Sequence, residues 1–497
     1  MAKPAPILRR AAGVMLPVAS LPGPDGIGDF GPAAEKFLAW LHLAGQRYWQ
    51  ILPLTIPDQT GSPYASRSSR ALNWLLISPE ALQHRGWLPA EWPIYPASQP
   101  IKYQRVAMTK WRMIKTAYRG FLDQATTAER AEFTTFRHGQ WDWLDDFVLF
   151  QALKDRFRQQ PWWRWPTVWQ RPASARTRVD RYLTHQMEVH AFAQWLADRQ
   201  WQHLRRVAKR YHLAIIGDLP FYVQHDSVDV WAHRQLFDLD RRGQPRVVAG
   251  VPPDSFSRAG QHWGNPVYRW SAHRREHWRW WTDRLVKKWR HFDLVRFDHF
   301  LGLAETYHIP ARAGDARHGR WVPTPGRDIL DRVARRLGRL PLVAEDLGPS
   351  RRGAEALRRH FQLPAIRLLI FGWSGLPHNI HAPAEVMTNS IYLTTNHDTN
   401  TMVGWWRDQS RRYERQNFRN FPSPPAPVHR RAIDIVYHSR ARVAMVTPQD
   451  LLGLGSAARL NTPGHQRGNW RWRVPITALT PALAKQLRRL ARDTQRL

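Results

Sequence analysis

Eight short apolar runs, spread along nearly the whole chain, limit its architecture more than any other feature. They are Val14-Met15-Leu16-Pro17, Tyr48-Trp49-Gln50-Ile51-Leu52, Leu213-Ala214-Ile215-Ile216, Leu294-Val295-Arg296-Phe297, Pro341-Leu342-Val343-Ala344, Ile366-Arg367-Leu368-Leu369-Ile370, Ser390-Ile391-Tyr392-Leu393 and Ala444-Met445-Val446. Apolar runs this short, without regular polar alternation, suit strands covered on both faces, as in a parallel sheet. Amphipathic stretches lie between most of them, including Ala33 to Ala44, Phe192 to Tyr211 and Trp278 to Trp289, and their spacing predicts helices. Eight strands alternating with helices predict an α/β chain closed into a (β/α)8 barrel. A doubly wound open sheet alternates in the same way. No Gly-rich phosphate turn follows the first run, so the dinucleotide-binding version of that sheet lacks its main sign.

The widest gap lies between the second and third runs. It holds helix-prone sequence rich in tryptophan: Trp111, Trp141, Trp143, Trp162, Trp163, Trp165 and Trp169. The expected organisation is a single catalytic barrel over residues 1–497, with a mostly helical subdomain inserted at 57–188 and packed over the mouth. The last run ends close to the C-terminus. Phe421-Pro422-Ser423-Pro424-Pro425-Ala426-Pro427 reads as a loop between the seventh and eighth runs.

The 497 residues contain no cysteine. That excludes disulfides, thiolate nucleophiles and Cys-based zinc sites, and it fits a reducing, cytoplasmic setting. No uninterrupted apolar stretch approaches the roughly 18 residues of a membrane span. Arg9-Arg10 precede a short apolar run that Pro17 breaks, which reads as a first buried strand rather than an export signal. The formal net charge is +34. Its arginines are scattered as pairs such as Arg205-Arg206, Arg335-Arg336 and Arg411-Arg412, with no basic arm or tail. A solvated Arg-rich surface is expected, and nucleic acid is not an expected partner.

Three carboxylates follow apolar runs directly or within a few residues. Asp298 follows the fourth, Glu345 the fifth, and Asp398 the seventh. In a barrel these ends converge on one mouth, where catalytic side chains sit. Retaining glycosyl transfer needs one carboxylate to attack the anomeric carbon and one carboxylic acid to protonate the departing oxygen, about 5–5.5 Å apart. A third carboxylate can stabilise the cationic sugar. The charge of Asp298 is expected to be the chief cause of a raised Glu345 pKa. Arg296 lies two residues before Asp298, on the same strand face, where it can keep that carboxylate ionised. His299 and His397 adjoin two of the carboxylates. They read as hydrogen-bonding partners of sugar hydroxyls rather than metal ligands, since no HExxH-type spacing accompanies them. No metal or cofactor is expected. Aromatic residues make up 12% of the chain, and their faces suit the apolar faces of sugar rings, although most are expected to be ordinary core.

With these residues placed, the chain resembles the amylomaltase family of 4-α-glucanotransferases, also called disproportionating enzymes and related to the α-amylases. The similarity runs in order through Ser20-Leu21-Pro22-Gly23, Gly26-Ile27-Gly28-Asp29, Ala44 to Leu54, Ser62-Pro63-Tyr64 and Gly217 to Val223. It continues through Ala249 to Ser257, Gly260 to Pro266, Arg296 to Phe300, Ala344 to Gly348, Leu376 to Asn379, His397-Asp398 and Asn461 to Gly464. The resemblance implies a barrel with helical insertions and no separate C-terminal β-sandwich, with Asp298 as nucleophile, Glu345 as general acid/base and Asp398 as transition-state stabiliser. It implies substrate contacts from Ser62, Tyr64, Asp218, Asp254, Gln261, Trp263, Asn265, Arg296, His299, His397 and Asn461. Tyr64 is the implied platform under the donor sugar, and the segment 249–266, rich in Gly and Pro, is the implied covering loop with Phe256 and Trp263.

The chain departs from the family at Thr399-Asn400 after the third carboxylate, at Ala457 and at Trp74. The departures bear on rate and chain-length preference, since the three carboxylates are intact. Three functions remain open at this level. A transferase between α-1,4-glucans or maltooligosaccharides fits. So does an α-glucan hydrolase with the same carboxylates. A non-catalytic glycan- or polyanion-binding barrel is the third, and it has no need of the intact triad.

Overall fold

The computed structural model describes residues 7–93, 100–253, 259–347, 352–422, 425–465 and 467–497. Eight parallel strands close into a barrel in the order β1-β12-β11-β10-β9-β6-β3-β2. These strands are β1 (Ala11–Met15), β2 (Tyr48–Gln50), β3 (Ala214–Leu219), β6 (Leu294–Phe297), β9 (Leu342–Ala344), β10 (Ala365–Leu368), β11 (Ser390–Leu393) and β12 (Val443–Val446). All eight overlap the apolar runs, although β1 begins three residues before its run and ends two before the run does. β1, β6, β9, β10, β11 and β12 are buried throughout, as strands sandwiched between a packed barrel interior and an outer helical layer must be. Inside the barrel space is tight. A Cβ on Gly13 would lie 2.7 Å from the Tyr48 carbonyl oxygen, so β1 approaches β2 this closely only with glycine there.

Helix α1 (Pro32–Leu43) joins β1 to β2, starting with proline in its first turn and burying Phe37, Leu38 and Leu41. Between β2 and β3 run α2 (Glu80–Gln83), α3 (Tyr103–Gln124), α4 (Thr127–Gly139), α5 (Trp141–Arg156), α6 (Pro172–Arg176) and α7 (Arg181–Arg210). Thr126 and Glu129 form a capping box at the start of α4, and Asp180 caps α7 through the Leu183 amide. Trp162 and Trp165 of this stretch are buried, whereas Trp141 is 69% exposed. The β3–β6 connection carries α8 (Val228–Ala232), α9 (Trp270–Arg275) and α10 (Arg279–His291). The remaining helices are α11 (Gly326–Leu337), α12 (Arg352–His360), α13 (Met402–Arg407), α14 (Arg412–Asn420), α15 (Val428–His438), α16 (Pro448–Leu451) and α17 (Pro481–Asp493). No helix among the described residues is long and apolar enough to cross a membrane.

Two expectations are corrected. The segment 249–266 is not simply a shaped loop. Its two ends are antiparallel strands, β4 (Val247–Val251) and β5 (Gln261–Pro266), which join β7 (Glu305–Pro310) and β8 (Arg320–Pro323) in a second sheet ordered β5-β4-β7-β8. The Gly and Pro residues that suggest a loop sit at irregular pairing between Val248 and Gly250 and at a positive φ of 75° on Gly264. The arginines are also not all on the surface. Arg284, Arg473 and Arg496 are among the largest fully buried side chains. Arg496 donates to the carbonyls of Tyr437, Ser439, Ala441, Arg442 and Ala11, satisfying backbone acceptors beside β1 and β12 that burial would otherwise leave unpaired.

Candidate active site

Barrel register sets the height of each functional side chain. Asp218 of β3 stands opposite Arg296 of β6, and Phe297 of β6 opposite Ala344 of β9. The next residues, Asp298 and Glu345, therefore leave adjacent strands at the same level, at the C-terminal mouth. Their backbones continue the ladder: the Asp298 amide donates to the Leu219 carbonyl at 3.0 Å and the Glu345 amide to the Phe297 carbonyl at 3.1 Å. Asp398 comes from the turn after β11, where the Asn396 side chain accepts from the amides of Asp398 and Thr399 at 3.0 Å.

One guanidinium organises the floor of this mouth. Arg296 Nη1 lies 2.9 and 2.8 Å from the two Asp218 oxygens and 2.8 Å from Asp298 Oδ1. Tyr64 donates its hydroxyl to Asp218 Oδ2 at 2.7 Å and lies 2.9 Å from His397 Nε2. That same imidazole nitrogen lies 3.1 Å from Asp398 Oδ2, and Asn461 Nδ2 donates to Asp398 Oδ1 at 2.6 Å. A continuous polar chain thus runs Asp298–Arg296–Asp218–Tyr64–His397–Asp398–Asn461. Arg296 and Asp218 are buried, while the Asp298 and Asp398 side chains keep 24% and 40% of their exposure. The two exposed carboxylates are available to a ligand, and the buried residues hold them.

Glu345 sits on the other side of Asp298. His299 has a φ of +53°, a left-handed turn that is uncommon outside glycine. In this turn its amide donates to Glu345 Oε2 at 2.8 Å. Burial is the largest influence on Glu345 and raises its pKa; Arg296 opposes, the Asp298 charge adds to the rise, and the result is about 7. This corrects the expectation that the Asp298 charge would be the main cause. Burial also works to raise Asp398, but the His397 imidazole, the Asn461 amide and Arg296 outweigh it and hold Asp398 down at about 2. Two carboxyls at one mouth are therefore driven in opposite directions, the condition for one to act as an acid while another stays ionised. Burial lowers the His299 pKa to about 4, so its imidazole is neutral at pH 7.

The other expected residues divide by location. The Trp263 ring lies edge-on to His299 at 5.1 Å and near Tyr222 at 5.9 Å, and its Nε1 donates to Gln261 Oε1 at 3.1 Å. Both side chains of β5 therefore border the cluster. Asn265 is buried and donates to the Val223 carbonyl at 2.9 Å, which fastens β5 to the loop after β3. Ser62 lies in a turn whose amide donates to Asp58, and no side-chain contact joins it to the carboxylates. Asp254 and Phe256 lie outside the described residues.

Sequence reading missed three contributors. Trp470 packs 5.8 Å from the Tyr64 ring and 5.9 Å from His397. Arg459 donates to the Asp398 carbonyl at 2.6 Å. Tyr222 is buried beside Trp263. Trp470 follows the Asn461-Thr462-Pro463-Gly464 motif by a few residues, the only hint the sequence carried for it. At the departures, Asn400 donates to Ser456 Oγ at 3.0 Å and Trp74 packs 5.2 Å from Trp111. Neither residue touches a carboxylate of the site.

A parallel barrel that gathers an Asp, a Glu of raised pKa and an Asp of lowered pKa at its mouth, bordered by aromatic rings, defines a glycoside-processing barrel enzyme. Comparison narrows the class. The family profile described as 4-alpha-glucanotransferase matches residues 16–478. The chain is similar to the 4-alpha-glucanotransferase of Thermus thermophilus, at 40% identity over 99% of this chain and 100% of that one. It is also similar to that of Synechocystis sp., at 37% identity over 96% of each. Among solved structures it superposes on an amylomaltase from Streptococcus agalactiae in complex with acarbose, with a TM-score of 0.93, 30% identity, and coverage of 98% of this chain and 100% of that one. The chain belongs to the 4-alpha-glucanotransferase family.

Proposed function

We propose that this 4-alpha-glucanotransferase works by retaining double displacement, with Asp298 as nucleophile, Glu345 as general acid and then base, and Asp398 as the group that steadies the cationic sugar. The observation that carries the reading is geometric: Asp298 and Glu345 leave adjacent strands at one level, tied by the His299 amide, and Asp398 joins them through the Arg296–Asp218–Tyr64–His397 chain. Asp298, held by Arg296, attacks the anomeric carbon as the bond to the departing oxygen breaks. Glu345 gives its proton to that oxygen. The product is a covalent glucosyl-enzyme and a shortened glucan. Glu345, now ionised, takes the proton of an acceptor 4-hydroxyl, which attacks the same carbon and releases Asp298.

The substrates are α-1,4-glucans and maltooligosaccharides as donors, with glucose or a glucan as acceptor. An acarbose complex in a barrel that superposes so closely supports an oligosaccharide at this mouth. Tyr64, Gln261, Trp263, His299, His397 and Asn461 border the donor and acceptor positions, and Asp218 and Asn265 act behind them. The chain forms one catalytic unit, with 57–188 as an insertion into its barrel. The setting is cytoplasmic, and nucleic acid is not a partner. Incubation with maltotriose, with products resolved by length, tests the reaction. Glucose plus a ladder of longer maltooligosaccharides, with little net gain in reducing ends, is expected. Shortening alone, with reducing ends rising in step, overturns transfer in favour of hydrolysis.

A further inference from the structure

A second cavity lies away from the carboxylates, against the outer face of the barrel between α10, α7 and the α4–α5 region. Its volume is about 130 Å³, well above the roughly 10–15 Å³ that a single water needs. Its lining is strongly basic. Arg70, Arg284, Lys287, Lys288 and Arg290 contribute to it, and Asp198 is the one acidic residue on the wall. Asp142 draws off part of that charge at the rim, where it pairs with Arg70 at 3.7 Å and with Lys287.

On the inner wall no carboxylate pairs directly with the cations; Asp229 and Asp218 act on Lys288 only through space. Lys288 is only 5% exposed, and among the described residues its ammonium makes no hydrogen bond or ion pair. Arg284, on the same helix face, is 1% exposed. Its guanidinium donates to the carbonyls of Phe221 and Pro220 at 2.9 and 2.5 Å, and its Nε is buried without a partner. Buried cations are ordinarily paired with anions, because removing a charge from water is costly without a counter-charge. Burial, with Arg284 next in size, outweighs the opposing charges of Asp229 and Asp218 and pulls the Lys288 pKa down to about 7. The side chain is therefore a strong donor waiting for an acceptor. A tetrahedral oxyanion offers several acceptor oxygens to the ammonium and guanidinium groups around it.

We propose that this cavity is a binding site for a phosphate-type oxyanion, either free or carried on a small sugar ester, held by Lys288 with Lys287 and Arg70. The site is distinct from the carboxylate mouth. Arg284 grips the chain at Pro220 and Phe221, just beyond Asp218, and Lys288 feels the Asp218 charge through space.

Titration of the whole protein with inorganic phosphate, against chloride at matched ionic strength, tests the site by calorimetry and by the unfolding midpoint. One saturable site is expected, with a midpoint that rises with phosphate concentration. Lys288→Met should abolish the saturable heat. Lys287→Met should weaken it at least tenfold, and Lys485→Met on the exposed face of α17 should leave it unchanged. The Lys287→Met arm keeps the test decisive if Lys288→Met fails to fold. Glucose 6-phosphate distinguishes the sources: competition with phosphate identifies an ester-accepting site, and failure to compete identifies a site for the free ion. No saturable phosphate binding above chloride, or binding that persists in both cavity variants, would overturn the proposal.

Discussion

The amide of His299 donates to Glu345 Oε2 at 2.8 Å, so the residue directly after Asp298 holds the neighbouring carboxyl. This bond ties the ends of β6 and β9 together at the point where attack and proton transfer must be coordinated. It also favours the ionised form of Glu345, yet burial prevails and the pKa stands near 7. Glu345→Gln should therefore lose most activity on natural glucans and keep relatively more on donors with a good leaving group, which need less protonation. Equal losses on both donor types would remove the acid role. The wild-type pH–rate profile should be bell-shaped. If the acid form of Glu345 is needed, as proposed, activity should fall as pH rises through about 7.

The same raised pKa predicts a stability effect. Between the ordinary value of 4.5 and about 7, the folded state binds the Glu345 proton more tightly than the unfolded state does. Stability from this group is thus fully present below 4.5 and lost as pH rises through about 7. Glu345→Gln, which keeps the neutral shape, should gain up to about 3 kcal/mol at pH 8 and little at pH 4. Denaturant unfolding at the two pH values reads the difference. A gain of equal size at both would trace the effect to packing instead.

Asp298→Asn keeps the shape of the nucleophile and removes its charge. Turnover should drop by several orders of magnitude while the circular dichroism spectrum stays unchanged. Near-normal turnover in the folded variant would refute the nucleophile assignment.

Tyr64 joins the two halves of the polar chain, through 2.7 Å to Asp218 and 2.9 Å to His397. Tyr64→Phe keeps the ring and deletes the hydroxyl. A hydrogen bond to a charged group is worth about 1.5–3 kcal/mol, so kcat/KM should fall roughly ten- to a hundredfold. A loss below twofold would mean that only the ring matters.

How legible all this was depended on how each element is encoded. The barrel strands were readable because burial on both faces leaves uninterrupted apolar runs such as Leu342–Ala344. The carboxylates were readable because parallel register brings strand ends to one level. β5 was not, since Gln261–Pro266 reads Gln-His-Trp-Gly-Asn-Pro, with neither period-2 hydrophobicity nor β-branched residues. The placement of Trp470 was hidden for another reason. It reaches Tyr64 and His397 across the mouth, and local patterning carries no record of such long-range contacts. Asn265 was anticipated at the ligand, but its amide is taken up by the Val223 carbonyl, a partner that no sequence pattern reveals.

On the proposed mechanism, the partition between transfer and hydrolysis falls to β5. In the proposed mechanism both reactions share the glucosyl-enzyme on Asp298, so the carboxylates do not choose between them. Water is small and abundant, and a sugar competes only if its 4-hydroxyl is held at high effective concentration while water is kept out. Trp263 is the side chain placed to do this. Its ring stands edge-on to His299 at 5.1 Å, and His299 is itself hydrogen-bonded to Glu345. Asn265 fastens the same strand to the loop after β3, so the ring is carried on an anchored element. Trp263→Ala should leave the first displacement nearly intact and shift the second towards water. With maltotriose, reducing ends per glucose released should rise severalfold and the ladder of longer products should shorten. Trp263→Phe, which retains a ring face, should lie between. A transfer-to-hydrolysis ratio unchanged in Trp263→Ala would show that water is excluded by some other wall of the mouth.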